Sequence, residues 1–194
     1  MTSARRTRID ALVIGASAGG IDALLRLLPG LPPAPPYPVV IVLHLPDDRE
    51  SRLAEVFQQH LPQKVVQAED KAQLAPGTIY FAPPGYHLSI ENDASLSLSQ
   101  EEPVHFSRPA IDILMETAAD AYGPDLCGIL LTGASHDGAA GLAKIGAGGG
   151  LTLVQEPDDA EIPTMPAAAI RARTPDYVLA LDKMREILSA LETM

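Results

Sequence analysis

The stretch Val13-Ile14-Gly15-Ala16-Ser17-Ala18-Gly19-Gly20 decides the fold of this chain. A short apolar run, 11–14, leads into this glycine-rich turn, and a segment with apolar residues at helical spacing, 21–28, follows it. The order predicts a strand, a tight turn and a helix, with the hydroxyl of Ser17 at the apex of the turn.

Three interpretations of this turn are open. A dinucleotide-binding fingerprint requires glycine at its third position and an acidic residue at the end of the next strand, but this chain has Ser17 and His44 there. A nucleophile turn of the form G-x-S-x-G is matched literally by residues 15–19. A structural or phosphate-binding turn with a capping serine is the third interpretation.

Length and composition favour one domain with a parallel sheet. A chain of 194 residues suits a single α/β domain, and 46% apolar and 20% charged residues are typical of a globular protein. Aromatic residues make up only 4% and tryptophan is absent, so Ala, Val, Ile and Leu must build the core. Such a core is typical of a parallel sheet covered by helices.

The charge of the chain limits its expected partners, and its cysteine content indicates its cellular compartment. The net charge of −11 predicts no nucleic-acid partner, because such binding requires basic clusters, and the single basic cluster, 5–8, lies at the N-terminus. The one cysteine, Cys127, excludes an internal disulfide and fits a reducing cytoplasm. It lies in an apolar run, which predicts a buried and inert thiol.

The N-terminus predicts neither a signal peptide nor a membrane anchor. The apolar run after the basic start is too short and ends at Gly15, and no stretch approaches the ~18 apolar residues of a membrane helix. We therefore expect a cytoplasmic protein without membrane insertion. Residues 1–10 are predicted to be a disordered leader, and residues 11–194 a single domain.

The rest of the chain alternates between strands and helices. Apolar runs predict buried strands at 39–43 and 126–131, and strands at 151–154 and 177–180 complete the alternating pattern. Helical spacing between them predicts a doubly wound α/β fold with a mainly parallel sheet and helices on both faces. Short segments separated by Pro, Gly and Asn predict a small antiparallel hairpin region from 65–68, 78–81, 87–90 and 96–98. Helix caps are predicted at Asp47, Asp48 and Ser51.

Polar residues follow three of the predicted strands: Ser17, His44 and the group 135–137. The carboxyl ends of parallel strands form the ligand site of an open α/β sheet. Acyl transfer requires a nucleophile, a base and a carboxylate that orients the base, and these three strand ends supply all of them. The chain order Ser, His, Asp differs from the Ser, Asp, His order of α/β-hydrolases, so the G-x-S-x-G match does not indicate that fold.

The other histidines and Asp137 have competing interpretations. His136 is the main competitor of His44 as the base, and His87, in a Pro-Pro-Gly turn, is expected close to the site. We interpret His60 and His105 as surface residues. Asp137 has an alternative role as an N-cap of the helix that follows it. His44, Asp47 and Asp48 lack a metal-ligand spacing, so no metal is expected.

A set of motifs in fixed order resembles a known family. It comprises Gly15-Ala16-Ser17-Ala18-Gly19-Gly20, Leu43-His44-Leu45-Pro46, Pro76-Gly77-Thr78-Ile79-Tyr80-Phe81-Ala82-Pro83-Pro84-Gly85-Tyr86-His87, Arg108-Pro109-Ala110-Ile111-Asp112, Leu131-Thr132-Gly133-Ala134-Ser135-His136-Asp137-Gly138-Ala139-Ala140-Gly141-Leu142, Met165-Pro166 with Ala168-Ala169-Ile170, and Asp176-Tyr177-Val178-Leu179. From about residue 11 to 182 the chain resembles the catalytic domain of chemotaxis protein-glutamate methylesterases of the CheB type.

The resemblance implies a cytoplasmic hydrolase that removes methyl esters from glutamate side chains of chemoreceptor helices and releases methanol. Some relatives also deamidate glutamine at those sites. By motif position the nucleophile is Ser17, the base His44 and the orienting carboxylate Asp137, and no cofactor or metal is implied. Backbone amides next to the nucleophile and after the third strand are the expected oxyanion donors, at Ala18, Gly133 and Ala134.

Three departures from the family pattern affect the expected activity. Ala18 stands where the family usually has Thr, and Ala134-Ser135 stands where it has Met-Gly. The backbone amides survive both changes, so we expect activity with altered rate or specificity. The usual N-terminal receiver domain does not precede the first strand. This sequence is therefore either a piece of a longer protein or a stand-alone member.

Because of these departures from the family pattern, more than one partner and more than one function are consistent with the sequence. A stand-alone member would act on methylated chemoreceptor helices or on another methylated protein, with a separate regulator as a further partner. The alternative function is a catalytically idle module that binds receptors or regulators. Dinucleotide binding has the weakest support.

Overall fold

The computed structural model describes residues 8–45 and 52–191. Within these ranges the chain forms β1 (Ala11–Ala16), α1 (Gly20–Leu27), β2 (Val39–Leu43), α2 (Leu53–Gln58), β3 (Lys64–Gln67), β4 (Thr78–Phe81), β5 (His87–Ile90), β6 (Leu96–Ser99), α3 (Ile111–Tyr122), β7 (Leu126–Leu130), α4 (Ala139–Ala147), β8 (Leu151–Gln155), α5 (Thr164–Ala172), β9 (Tyr177–Leu179) and α6 (Leu181–Ala190). Helix α3, at 12 residues, is the longest. No helix of the described part is long and apolar enough to cross a membrane.

The main sheet has seven strands in the order β3-β4-β2-β1-β7-β8-β9, and all its pairings are parallel. The chain builds one half of the sheet outward from β1, then returns through α3 and builds the other half from β7. The reversal point therefore lies between β1 and β7, where a ligand site is expected at the carboxyl ends of the strands. This architecture confirms the predicted doubly wound fold.

Helices cover both faces of the sheet, as predicted. Leu12 and Ile14 of β1 pack with α1, α2 and α6, whereas Ala11 and Val13 pack with α3, α4, α5 and the β5–β6 hairpin. Every residue of β1 and β2 is buried because both faces are covered. The continuous apolar runs in the sequence are the consequence.

The predicted antiparallel region is wrong for two of its four segments. β3 and β4 belong to the main sheet and pair in parallel, and only β5 and β6 form an antiparallel hairpin. Parallel pairing requires the connection 68–77 to cross back to the same end of the sheet. β4 lies between β2 and β3 and is buried at all four positions, which is typical of an inner parallel strand.

Several predictions concern the start of the chain and the segment after β2. Ile9 is buried and the N–H of Asp10 donates to the carbonyl of Asp125, so a leader must end before residue 9. Residues 1–7 lie outside the described ranges. So do the predicted caps Asp47, Asp48 and Ser51, whereas α2 begins at Leu53.

The thiol of Cys127 is buried in β7, as predicted. Burial raises the pKa of this thiol far above its usual range, and the nearby carboxylate of Asp176 adds to the effect. The neutral thiol is therefore inert, which agrees with its interpretation as a small core residue.

Candidate active site

The turn that carries Ser17 joins β1 to α1. The backbone N–H of Ser17 donates to the carbonyl of Thr132 at 3.0 Å, and the N–H of Gly20 donates to the carbonyl of Ser17 at 2.8 Å. Gly19 adopts a left-handed φ of 76° at the start of α1, and a Cβ there would lie 2.7 Å from Oε2 of Glu161. The turn therefore requires glycine at position 19, and it leaves Ser17 half-buried at its apex.

Two other glycines allow the N-terminus of α3 to pack closely against the end of the sheet. A Cβ on Gly15 would lie 2.3 Å from Cγ2 of Ile111, and a Cβ on Gly138 would lie 2.7 Å from the same atom. Gly138 also has a left-handed φ of 92°. The first glycine of G-x-S-x-G therefore makes room for α3, and this close approach brings the α3 backbone amides to Asp137.

His44 and Asp137 form a direct pair. The N–H of His44 continues the β1–β2 pairing by donating to the carbonyl of Ala16, and Nε2 of its ring lies 2.8 Å from Oδ2 of Asp137. Asp137 is fully buried. Its carboxylate also accepts from the N–H of Ile111 at 2.7 Å and of Asp112 at 2.9 Å.

Asp137 is thus a helix cap, but not of the helix that the sequence suggested. It caps α3, whereas α4 begins after Gly138 without a side-chain cap. The same carboxylate binds the imidazole of His44 from the other side. The capping interpretation and the catalytic interpretation of Asp137 are therefore compatible.

The environment of Asp137 favours its charged form. Burial alone would raise the pKa of this carboxyl, but hydrogen bonds from His44 and from the amides of Asp112 and Ile111 outweigh burial and hold the pKa below its usual range. The charged carboxylate can only accept a hydrogen bond, so the neutral imidazole of His44 donates its Nε2–H to Asp137. Nδ1 of His44 is then the ring nitrogen free to accept a proton.

Ser17 and His44 line one open cleft of about 480 Å³, together with Ala18, Ile21 and Leu25. No hydrogen bond joins the Ser17 hydroxyl to His44 within the described residues. Such contacts are commonly long in enzymes without substrate and shorten when the substrate binds. The cleft therefore brings together the predicted nucleophile and the predicted base, while Asp137 lies behind the base.

The predicted oxyanion donors differ in whether their backbone N–H groups already have a hydrogen-bond acceptor. A Cβ on Gly133 would lie 2.9 Å from Cβ of Ser17, so Gly133 adjoins the serine, but its N–H already donates to the carbonyl of Ile162 at 3.1 Å. The N–H groups of Ala18 and Ala134 have no acceptor in residues 8–45 and 52–191, and both residues are exposed. Ala18 and Ala134 therefore remain the stronger candidates.

Known proteins are similar to this chain over the whole domain. A family model described as CheB methylesterase matches residues 12–188. The chain belongs to the CheB methylesterase family. A putative protein-glutamate methylesterase/protein-glutamine glutaminase of Leptospira interrogans is 46% identical over 183 residues, which cover 94% of this chain and 95% of that protein.

Two further proteins are similar to this chain over most of its length. A protein-glutamate methylesterase/protein-glutamine glutaminase of Hahella chejuensis is 36% identical over 89% of this chain but only 48% of its own length. The crystal structure of the Thermotoga maritima CheB methylesterase catalytic domain superposes with a TM-score of 0.89 at 31% identity, and covers 94% of this chain and 98% of that one. The similarity confirms the resemblance predicted from the motifs.

Thr132 is a residue of this CheB-family site that the sequence analysis missed. It is buried, its carbonyl accepts from the N–H of Ser17, and its hydroxyl donates to the carbonyl of Ala18 at 2.9 Å. The hydroxyl also accepts from the N–H of Ile162 at 2.9 Å. Thr132 therefore fixes the nucleophile turn on both sides of Ser17. The signal for it in the sequence was a polar residue directly after a buried strand.

Replacing Thr132 by valine removes these hydroxyl contacts but keeps the side-chain shape. We expect a stability loss of about 1–3 kcal/mol from the unpaired buried groups. We also expect kcat to fall about 10- to 100-fold because the turn shifts. Thr152→Val is the matched control. Thr152 is a buried threonine of β8, and its hydroxyl hydrogen-bonds to Asp176 rather than to the turn that carries Ser17. Equal kcat values in the two variants would contradict a positioning role for Thr132.

None of the other four histidines, all of which lie in the described ranges, lines the cleft. His87 is buried, with Nε2 donating to the carbonyl of Glu102 and Nδ1 accepting from the N–H of Ala110, so it reaches the site only through the start of α3. His136 is exposed, and its ring stacks at 5.7 Å on the ring of His105. His60 is exposed, as predicted.

His105 is more than a surface residue, because its Nε2 lies 3.1 Å from Oδ2 of the buried Asp112. Burial raises the pKa of Asp112, and the charge of Asp137 adds to this, while a hydrogen bond from the N–H of Gly141 opposes it. Donor atoms of His105, Asp112 and Asp137 lie within 4.8 Å of one another. Both carboxylates already accept backbone amides, Asp137 from the start of α3 and Asp112 from Gly141 in α4, so the cluster joins the two helices. The absence of a metal stays a prediction.

The lowered pKa of Asp137 makes its contribution to stability dependent on pH. This contribution is fully present above the unfolded-state pKa of about 3.9 and is lost as the pH falls through the lower folded-state value. The free energy of unfolding of the wild type should therefore exceed that of Asp137→Ala at pH 6, and the difference should shrink below pH ~4. Urea titrations at several pH values measure it, and a difference independent of pH would contradict the assignment.

Proposed function

We propose that this chain is a serine hydrolase that cleaves the γ-methyl ester of glutamate side chains in a protein and releases methanol. The observation that best supports this proposal is the 2.8 Å contact between Nε2 of His44 and Oδ2 of the buried Asp137. This pair lies beside a cleft that is lined by His44 and Ser17. The names of its relatives state the same reaction for those proteins. The proposal treats residues 11–194 as a single catalytic domain.

Acylation begins when the Ser17 hydroxyl attacks the ester carbonyl. Nδ1 of His44 accepts the hydroxyl proton, and Asp137 holds Nε2–H and stabilises the imidazolium that forms. The imidazolium then protonates the departing methoxide, so methanol leaves and a glutamyl ester of Ser17 remains. Water attacks this ester with His44 again as the base, which releases the glutamate carboxylate and restores the serine.

The oxyanion of the tetrahedral intermediate requires hydrogen-bond donors beside Ser17. The N–H groups of Ala18 and Ala134 are exposed and without an acceptor in the described residues, and each such donor is typically worth about 2.7–4 kcal/mol. Both are backbone groups, so the replacement of the family's usual side chains at these positions leaves them in place. This supports an active enzyme over the idle binding module.

Glutamine deamidation follows the same path with a different leaving group. Ser17 would attack a glutamine carboxamide, and the His44 imidazolium would protonate the amide nitrogen, so that ammonia leaves and the same glutamyl ester of Ser17 remains for water to hydrolyse. The names of the relatives include a protein-glutamine glutaminase activity. We therefore propose a second product, ammonia, from the same site.

The proposed substrate is a methylated chemoreceptor helix or another methylated protein in the cytoplasm. The test uses the purified chain and a chemoreceptor fragment that carries glutamate γ-methyl esters with an isotope-labelled methyl group. Labelled methanol should appear in proportion to enzyme and time. A chain that binds the methylated fragment but releases no methanol would support the idle module instead.

A further inference from the structure

Phe106 is exposed to an unusual degree in a chain with few aromatic residues. The protein has three phenylalanines, and the other two, Phe57 and Phe81, are buried with ring centroids 4.9 Å apart. Phe106 has a relative exposure of 104%. A fully exposed aromatic ring contributes nothing to the hydrophobic core, so this ring is available to a partner.

The backbone that presents Phe106 is a tight left-handed turn. Val104 and Ser107 exchange two backbone hydrogen bonds, of 3.1 and 2.9 Å, and the two residues between them have φ of 49° and 63°. Two central residues with positive φ define a hairpin turn that favours Asn-Gly. Histidine and phenylalanine are therefore costly at positions 105 and 106, and strain of this kind is often retained at functional sites.

This turn is anchored to the same helix end that orients Asp137. Nε2 of His105 contacts the buried carboxylate of Asp112, whose backbone N–H donates to Asp137. The Arg108 guanidinium donates to the carbonyls of Gln100 and Glu101 at the base of the loop. Phe106 therefore directly follows a residue, His105, whose ring nitrogen lies within 4.8 Å of the Asp137 carboxylate that binds His44.

A second exposed aromatic ring belongs to a neighbouring segment. The N–H of Gly85 donates to the carbonyl of Arg108, and the next residue, Tyr86, is 37% exposed. Ile21, 43% exposed, lines the catalytic cleft itself. The fold thus leaves apolar groups uncovered in the cleft, at Ile21, and on the two segments joined at Arg108, at Tyr86 and Phe106.

We propose that Phe106, supported by Tyr86, docks an apolar side chain of the protein segment that carries the esterified glutamate. The inference rests on the proposed function. A methyl ester offers few contacts, so affinity for a protein substrate must come largely from outside the cleft. Aromatic residues commonly supply such affinity. Because the chain has a net charge of −11, its overall field disfavours a segment that carries glutamate side chains, so we expect an apolar contact to supply the attraction.

The test compares Phe106→Ala and Phe106→Gly with wild type on two substrates, the methylated chemoreceptor fragment and p-nitrophenyl acetate. The ratio of kcat/KM on the protein to kcat/KM on the small ester should fall about tenfold in both variants, mainly through KM of the protein, and equally at low and high salt. Because glycine relieves the turn, Phe106→Gly should unfold at a temperature equal to or above that of the wild type.

Tyr177→Ala is the control, because Tyr177 is also an exposed aromatic residue, at 42%, but lies on the edge strand β9, three strands from β1. The docking proposal is overturned if the ratio is unchanged in both Phe106 variants, or if Tyr177→Ala lowers it equally. It is also overturned if wild-type Phe106 is found in a dimer contact that the variants abolish.

A binding measurement separates failure of the docking proposal from failure of the proposed function. Ser17→Ala and Ser17→Ala/Phe106→Gly are titrated with the same methylated fragment. Weaker binding of the double variant supports docking even if the wild type releases no methanol. Equal binding by the two proteins overturns docking even if the wild type is an active esterase.

Discussion

Replacement of Ser17 by alanine should abolish methanol release from a methylated protein, with kcat lower by about 10⁶-fold, the loss seen when a triad acts as a unit. The alanine keeps Cβ next to Gly133 and the backbone bond to Thr132, so the turn should fold as before. It removes only the hydroxyl that attacks the ester. Labelled methanol released per enzyme, with circular dichroism as a check on folding, measures the effect.

Ser135→Ala is the control for this experiment, because Ser135 follows a neighbouring strand and is the rival serine at this end of the sheet. Its hydroxyl accepts the N–H of Asp137 at 3.3 Å and has no contact with His44 within the described residues. We expect kcat of this variant to stay within about tenfold of the wild type. Near-normal turnover by Ser17→Ala, or a larger loss in Ser135→Ala, would contradict the assignment of the nucleophile.

Replacement of Asp137 by asparagine should lower kcat by about 10⁴-fold, as an incorrect histidine tautomer does in other triads. The carboxylate accepts three N–H groups, from His44, Ile111 and Asp112, and an asparagine side chain turns one acceptor into a donor. If its oxygen stays with α3, its NH₂ faces Nε2 of His44 and favours the tautomer with a proton on Nδ1. That nitrogen can then no longer accept the serine proton.

Asp112→Asn is the matched control for Asp137→Asn. Asp112 is also a buried carboxylate at the start of α3, but it accepts from Gly141 and contacts His105 instead of His44. Its replacement should reduce stability with a much smaller loss of kcat. Nitrogen NMR of the His44 ring should show the tautomer change in Asp137→Asn alone. Equal losses of kcat in the two variants would place Asp137 in a purely structural role.

The fold could be predicted because a parallel sheet that is covered on both faces requires a characteristic sequence pattern. Strands buried on both faces require continuous apolar runs, and β1, β2 and β7 all show them. Glycines at 15 and 19 marked the sharp turn between them. Since carboxyl ends of parallel strands share one edge, polar residues after three such strands were expected to meet, and His44 and Asp137 do so across 93 positions of sequence.

What the sequence did not show depends on contacts between distant segments. Asp137 was expected to cap the next helix if it capped any, but it caps α3, 26 residues earlier. Gly133 looked like an oxyanion donor, but its N–H is used by the carbonyl of Ile162. β3 and β4 were assigned to a hairpin because short strands separated by Pro-Gly turns look alike in parallel and antiparallel pairings. None of these partners is encoded in local spacing.

The central claim, that Ser17 is a nucleophile activated by His44 and Asp137, is tested most directly by covalent capture. The purified chain is treated with a fluorophosphonate that reacts with activated serines, digested with trypsin and analysed by mass spectrometry. Peptide 9–26 contains Ser17 as its only serine, so an adduct there identifies the residue without ambiguity. We predict one adduct, on Ser17, and its loss in Asp137→Asn. Full methanol release by a protein that carries no adduct on this peptide would contradict the account.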